Sequence, residues 1–346
     1  MNILITTQAV DNKDDHFVFF LDWISEFAAS YKKVTVIALR TGEYTLPPNV
    51  KVVSLGKNEG KGRLTYLYRF FKTILSERRE YDDVFVFMNP EYVVLGGLIW
   101  RYLGKRIGLW YTHKQVNLKL RVAHFFTHIV FTAIKESFRI PSTKVCVVGH
   151  GINTDLFSPM PAPQQGIEIL TVSRIAPIKH IENMIEAVPF IEKKLNQKVT
   201  LSIVSALPSK DDAYYQKLIT LITQKKLTEQ VHFLGAIPGG ELPPVYNRAT
   251  ITFNLTPTGG LDKAVLESLS CGVPVIASNQ GLRPLFGVYQ DRLSVALGDV
   301  EELAEKASLA VSLKEHESEA LRALVKDTYS YKTLIKKIIA IYETGR

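Results

Sequence analysis

Short apolar runs rich in β-branched residues recur along this chain, and stretches of helical length separate most of them. In the first half they fall at residues 3–6, 34–39, 50–55, 84–88, 107–111, 129–132 and 144–148, with 17–30 and 64–77 reading as intervening amphipathic helices. A strand that is apolar at nearly every position is buried on both faces, which implies a parallel sheet covered by helices on both sides. The rhythm stops at 155–166 (DLFSPMPAPQQG), where prolines and the loss of apolar period read as a linker. It restarts at 167–172 and continues through 199–204, 231–234, 250–254, 274–277 and 293–296. Two doubly wound α/β sheets with a cleft between them are therefore expected, and 346 residues suit two domains of about 150 residues each. The boundaries are expected at 1–158 and 159–328, leaving 329–346 as a closing segment.

Charge is unevenly placed. Residues up to Pro159 hold 21 Lys+Arg against 14 Asp+Glu, so +7 of the formal net charge of +8 lies there. A basic first half points to an anionic surface or substrate. No nucleic-acid motif accompanies the charge, so a nucleic-acid partner is not expected. The two cysteines, Cys146 and Cys271, stand in apolar stretches and are too few for a disulfide framework. With no basic leader and no uninterrupted apolar stretch near membrane-spanning length, the chain reads as cytoplasmic. The glycines after residue 55 (GKNEGKGRL) fail the spacing of a phosphate loop and lack the third glycine of a dinucleotide fingerprint.

Two segments of the second half carry chemistry. In 256–276 (TPTGGLDKAVLESLSCGVPVI) a glycine loop enters a helix expected from about Leu261 to Cys271. Such a junction presents unpaired N–H groups and a positive dipole end, which suit a phosphate. Asp262 is expected in the first helical turn, and Glu267, further on, could accept ribose hydroxyls. A capped surface helix with a solvated Glu267 is the other reading. In 172–187 (VSRIAPIKHIENMIEA), Arg174 and Lys179 flank a strand-to-helix turn and could together hold a diphosphate, or stand exposed.

Together these segments resemble the retaining glycosyltransferases of family 4, which have the GT-B fold of two Rossmann-like domains. Ser173-Arg174-Ile175 with Lys179 is similar to that family's "GRL-x3-K-G", and residues 266–276 (LESLSCGVPVI) to its "LEAMACGxPVI". Residues 231–237 (VHFLGAI), 242–249 (LPPVYNRA) and 150–157 (HGINTDLF) match further family segments, and the ending SYKTLIKKIIAIYE looks like the family's closing helix, which packs back on the N-terminal domain. The resemblance implies an acceptor domain first and a nucleotide-sugar domain second. It assigns Arg174 and Lys179 to the donor diphosphate and leaving group, Glu267 to the ribose hydroxyls, and His113 to the neighbourhood of the sugar. Donor contacts are implied for Gly259, Gly260, Leu261, Asp262, Lys263 and Ile237.

One departure concerns the sugar. The family carries a Glu eight positions before the ribose carboxylate, and here that position is Gly259. Asp262 is the nearest carboxylate that could take its task, with Lys263 as a third cation. The expectation is a metal-independent enzyme that needs no cofactor and moves a sugar, with retention, from a nucleoside-diphosphate sugar to a glycan or lipid-linked acceptor. The alternative is a catalytically weak GT-B protein that binds the nucleotide sugar as a sensor or partner subunit. Helix 63–80, with leucines on one stripe and Arg63, Arg69, Lys72, Arg78 and Arg79 mostly off it, is either a core helix with a basic solvent side or a peripheral contact with anionic lipid on the inner face of the membrane.

Overall fold

The computed structural model describes residues 1–14, 17–163, 166–209, 211–257 and 261–344. The chain divides into two compact units, Met1–Gly151 with Tyr331–Arg346, and Ile152–Ser330.

The first unit is built on seven strands: β1 (Asn2–Val10), β2 (Lys33–Thr41), β3 (Val50–Ser54), β4 (Asp83–Phe87), β5 (Arg106–Trp110), β6 (Ile129–Thr132) and β7 (Val145–Val147). They pair in parallel in the order β3-β2-β1-β4-β5-β6-β7. Alternate residues feed two hydrophobic layers, because successive side chains of a strand point to opposite faces. Phe85 and Phe87 of β4 meet Phe20, Trp23 and Phe27 of helix Phe19–Ser30 on one face. Val84 and Val86 meet Phe70, Val93, Trp100 and Leu120 of helices Arg63–Ser76, Pro90–Tyr102 and Leu118–Phe126 on the other. The C-terminal helix Tyr331–Thr344 joins the first layer through Leu334, Ile338 and Tyr342. The Tyr342 hydroxyl donates to the carbonyl of Val84 at 2.8 Å. Gly108 makes room for that ring, since a Cβ there would run into the hydroxyl.

The second unit holds β8 (Ile167–Val172), β9 (Val199–Val204), β10 (Val231–Gly235), β11 (Ile251–Asn254) and β12 (Val275–Ala277), in the order β10-β9-β8-β11-β12 and again all parallel. Two expectations shift. Residues 152–158 belong to this unit and not to the first. Phe157 is buried with Leu170, Val204 and Tyr246, and its carbonyl accepts from Arg322 Nη1 at 2.8 Å, so the linker starts later than the chain's division. The strand expected at 293–296 is a single bridge between Ser294 and Ala277, preceded by a short helix Gln290–Leu293. Gly298, with φ of 88°, turns the chain away before a ladder can grow.

Candidate functional site

The carboxyl ends of β8 and β11 bring the second unit's polar groups together, which is where ligands bind in open parallel sheets. After β8 the chain runs through Ser173 and Arg174 to a 3-10 turn, Pro177–Lys179, and then into helix Ile181–Leu195. Lys179 Nζ donates to Thr256 Oγ1 at 2.9 Å and lies 3.2 Å from Asp262 Oδ2. Asn254, the last residue of β11, donates from Nδ2 to the same carboxylate oxygen at 3.0 Å. Asp262 Oδ1 accepts from the N–H of Ala264 at 3.2 Å. Asp262 is thus the N-cap of helix Lys263–Ser270, one position outside the first turn in which the sequence placed it. Burial would raise its carboxyl, but the Lys179 charge and the donors from Asn254 and Ala264 outweigh that and hold it below the usual range.

About a turn and a half along the helix, Glu267 Oε2 accepts from the Tyr246 hydroxyl at 3.0 Å. Burial pushes the Glu267 carboxyl up, against the pull of nearby Lys263. Lys263 keeps part of its surface open to solvent, yet the protein crowds its ammonium enough to bring it down to about 8. Three buried oxygens near the ends of these strands, Ser173 Oγ, Asn254 Oδ1 and Ser278 Oγ, have no hydrogen-bond partner among the described residues. Buried polar atoms left open in a native fold call for an explanation, and a ligand is one.

The structure therefore gathers Lys179, Asp262, Lys263 and Glu267 in one unit. Arg174 is exposed and forms no ion pair among the described residues. Ile237 packs against the core around Leu242 and Tyr246, and Leu261 against that of the helix layer, so packing is what the structure shows for both. Gly259 and Gly260 lie outside the described residues. Asn254, Thr256, Tyr246 and Ser278 were not singled out from sequence. The available signal was a polar residue ending an apolar strand, as in TFN at 252–254.

His113 sits in the first unit, exposed beyond β5, with its ring edge-on to Tyr111 at 5.7 Å. It lines a pocket of about 390 Å³ with Gln8, Phe87, Met88, Asn89 and Glu91. Met88 has φ of 62°, in the left-handed region that β-carbon-bearing residues rarely adopt. Its N–H bonds the carbonyl of Trp110 at 2.9 Å, and the Thr112 hydroxyl meets its sulfur at 3.4 Å. Strain held by surrounding contacts clusters at working sites. Among the described residues no group of three or more His, Cys, Asp or Glu could hold a metal ion.

The family model described as glycosyl transferases group 1 matches residues 152–329, almost the whole second unit. The chain belongs to this family. Among relatives, a GDP-mannose-dependent alpha-(1-6)-phosphatidylinositol monomannoside mannosyltransferase of Mycolicibacterium smegmatis is 26% identical over 46% of this chain and 48% of its own. The O-antigen chain mannosyltransferase B of Escherichia coli is 24% identical over 62% of this chain and 57% of its own. The chain thus spans about half the length of these relatives. The chain shares the GT-B fold with solved structures. Anabaena HepE in complex with UDP superposes with a TM-score of 0.75 at 17% identity, over 99% of this chain and 100% of that one. The sucrose-phosphate synthase of Thermosynechococcus elongatus gives 0.74 at 16% identity, over 99% and 98%.

Proposed function

We propose that this family member is a retaining glycosyltransferase that moves a sugar from a nucleoside-diphosphate sugar to a lipid-linked or cell-envelope acceptor. The observation that carries the reading is Lys179, held beside Asn254, Thr256 and Asp262 at the carboxyl edge of the second sheet. Breaking a glycosyl–diphosphate bond needs charge stabilised on the leaving group, and preorganised cations are the strongest means of doing so. In this reading Lys179 and Arg174 hold the diphosphate, with the positive dipole end of helix Lys263–Ser270 adding to their charge and without a metal or cofactor. Lys263 adds a third cation, and Glu267, oriented by Tyr246, accepts the ribose hydroxyls. His113, on its pocket in the first unit, stands with the sugar and acceptor. The acceptor class rests on the basic first half and on relatives whose names specify phosphatidylinositol monomannoside and O-antigen chains. A cytoplasmic protein resting on the inner face of the membrane fits it, and no described helix is long and apolar enough to cross one.

A second reading, a GT-B protein that binds nucleotide sugar with little turnover, is favoured by one feature. Asp262 engages the phosphate lysine, while Gly259 stands where the family has a carboxylate. Incubation with nucleotide sugars and a membrane lipid extract separates the two. Radiolabel carried from donor into the lipid fraction supports transfer; saturable donor binding with no release of nucleoside diphosphate supports the binder and overturns the enzyme.

A further inference from the structure

Helices Arg63–Ser76 and Pro90–Tyr102 contribute to one hydrophobic layer of the first unit, yet they leave between them a second pocket of about 420 Å³. Its wall is mostly apolar, with Leu39, Leu55, Leu67, Phe70 and Leu95 among the lining residues and Arg63 alongside them. A concave site of this size, lined mostly by apolar side chains with a few polar groups, is the form that sites for small ligands take. The pocket shares Gln8, Asn89 and Glu91 with the pocket of His113, so the two adjoin.

The outer faces of the same helices carry the second observation. Leu64 is 83% and Tyr68 64% exposed on one, Leu98 68% and Tyr102 90% exposed on its neighbour. Each pair is spaced four residues apart, so each forms a stripe along its helix. Helix Arg63–Ser76 holds Arg63, Arg69 and Lys72 and no acidic residue; Arg69 is paired with Glu59 at 2.8 Å, which leaves Arg63 and Lys72 to face solvent. Apolar stripes flanked by cations are what a helix resting in an anionic lipid interface presents. Arg63 and Leu95 line the pocket and are themselves exposed, so they join it to this surface.

We infer that the apolar pocket receives the hydrocarbon chain of a lipid-borne acceptor, with Arg63 meeting the lipid's phosphate and the acceptor's sugar reaching Glu91 and His113. This rests on the glycosyltransferase reading and names its acceptor as an anionic amphiphile drawn from a bilayer. The charge of Arg63 and the basic helix selects a phosphate-bearing lipid over a neutral one.

The test uses the full chain and octyl phosphate below its micellar concentration, with octanol as the uncharged probe, both measured by calorimetry. Leu67→Trp fills the pocket, and Leu95→Trp, at an exposed position, is the second variant in case the first disturbs folding. Saturable 1:1 binding of octyl phosphate is expected, and either variant weakens it about tenfold or more by occupying the same space. Arg63→Ala weakens octyl phosphate by about tenfold and leaves octanol unchanged, since only the charged contact is lost. Nucleoside diphosphate binding, followed in parallel, stays as in the parent throughout. Octyl phosphate that fails to bind, or binds all variants alike, while nucleoside diphosphate still binds, overturns the pocket and leaves the donor site standing. Failure of nucleoside diphosphate itself brings down the glycosyltransferase reading, and the acceptor role with it.

Discussion

Lys179 and Asp262, 83 residues apart in the chain, meet at 3.2 Å, so the cation proposed here for a donor's phosphates is already engaged by a protein carboxylate. The pair keeps side-chain exposures of 15% and 30%. The pair is largely buried, so the attraction between its charges is offset by the cost of desolvating them, and the proposed diphosphate, with its larger charge and several acceptor oxygens, competes with Asp262 for Lys179. Asp262 accepts three hydrogen bonds from Lys179, Asn254 and Ala264, of the roughly four its carboxylate can take. A role in reading sugar hydroxyls has correspondingly little capacity left.

Asp262→Asn keeps a capping oxygen and removes the competing charge. It is expected to tighten nucleoside diphosphate binding about three- to tenfold, up to roughly 1.4 kcal/mol. Asp262→Ala loses the cap as well and should cost about 1 kcal/mol of stability. Calorimetric titration and thermal melts read the two effects separately. Weaker nucleotide binding by the Asn variant would show that Asp262 aids the donor site instead of competing with it.

Glu267 is expected to govern affinity more than turnover. Glu267→Ala should lose about tenfold or more in nucleoside diphosphate affinity, roughly 1.4 kcal/mol, because a buried carboxylate contact disappears. The parent should prefer a ribonucleoside diphosphate to its 2′-deoxy form, and the variant should not. An equal preference in both proteins would remove Glu267 from the ribose.

Lys263 gives a dependence on pH. Its ammonium titrates near 8 in the folded chain, well below the ordinary lysine value of 10.5, because burial disfavours the charge. Below that point it is charged and attracts the diphosphate; above it the attraction fades. Affinity for nucleoside diphosphate should therefore fall as pH rises through about 8, and Lys263→Met should flatten that step. Between about 8 and 10.5 the unfolded chain holds the proton and the folded one does not, so this residue makes stability rise with pH across that window. The Met variant should lack that contribution. A nucleotide titration whose pH profile is the same in parent and variant excludes Lys263 from the site.

Much of this was legible in the sequence, and the boundary of legibility has a physical cause. Apolar runs such as 84–88 and 107–111 become β4 and β5 because burial on both faces writes itself into consecutive residues. Helix Lys263–Ser270 was legible for a similarly local reason, the glycine at 272 that follows its apolar pattern. The union of Lys179 with Asp262 was not, since no local pattern reports which of many loops a crossover brings together. Residues 293–296 look like a strand because Val295 is buried, but burial alone does not supply a partner long enough for a ladder. The pocket between helices Arg63–Ser76 and Pro90–Tyr102 was hidden, because Leu67 and Phe70 have the same apolar period whether they fill a core or line a void.

The most direct test of the central claim is calorimetric titration of UDP and GDP into the parent chain and into the Arg174→Ala, Lys179→Ala double variant. The account predicts saturable 1:1 binding of at least one nucleotide by the parent. The double variant should bind it about 30-fold or more weakly, on the order of 2 kcal/mol for charge-assisted contacts, and melt within a few degrees of the parent. Binding of neither nucleotide by the parent, or equal binding by a folded double variant, would contradict a donor diphosphate site built on these two cations.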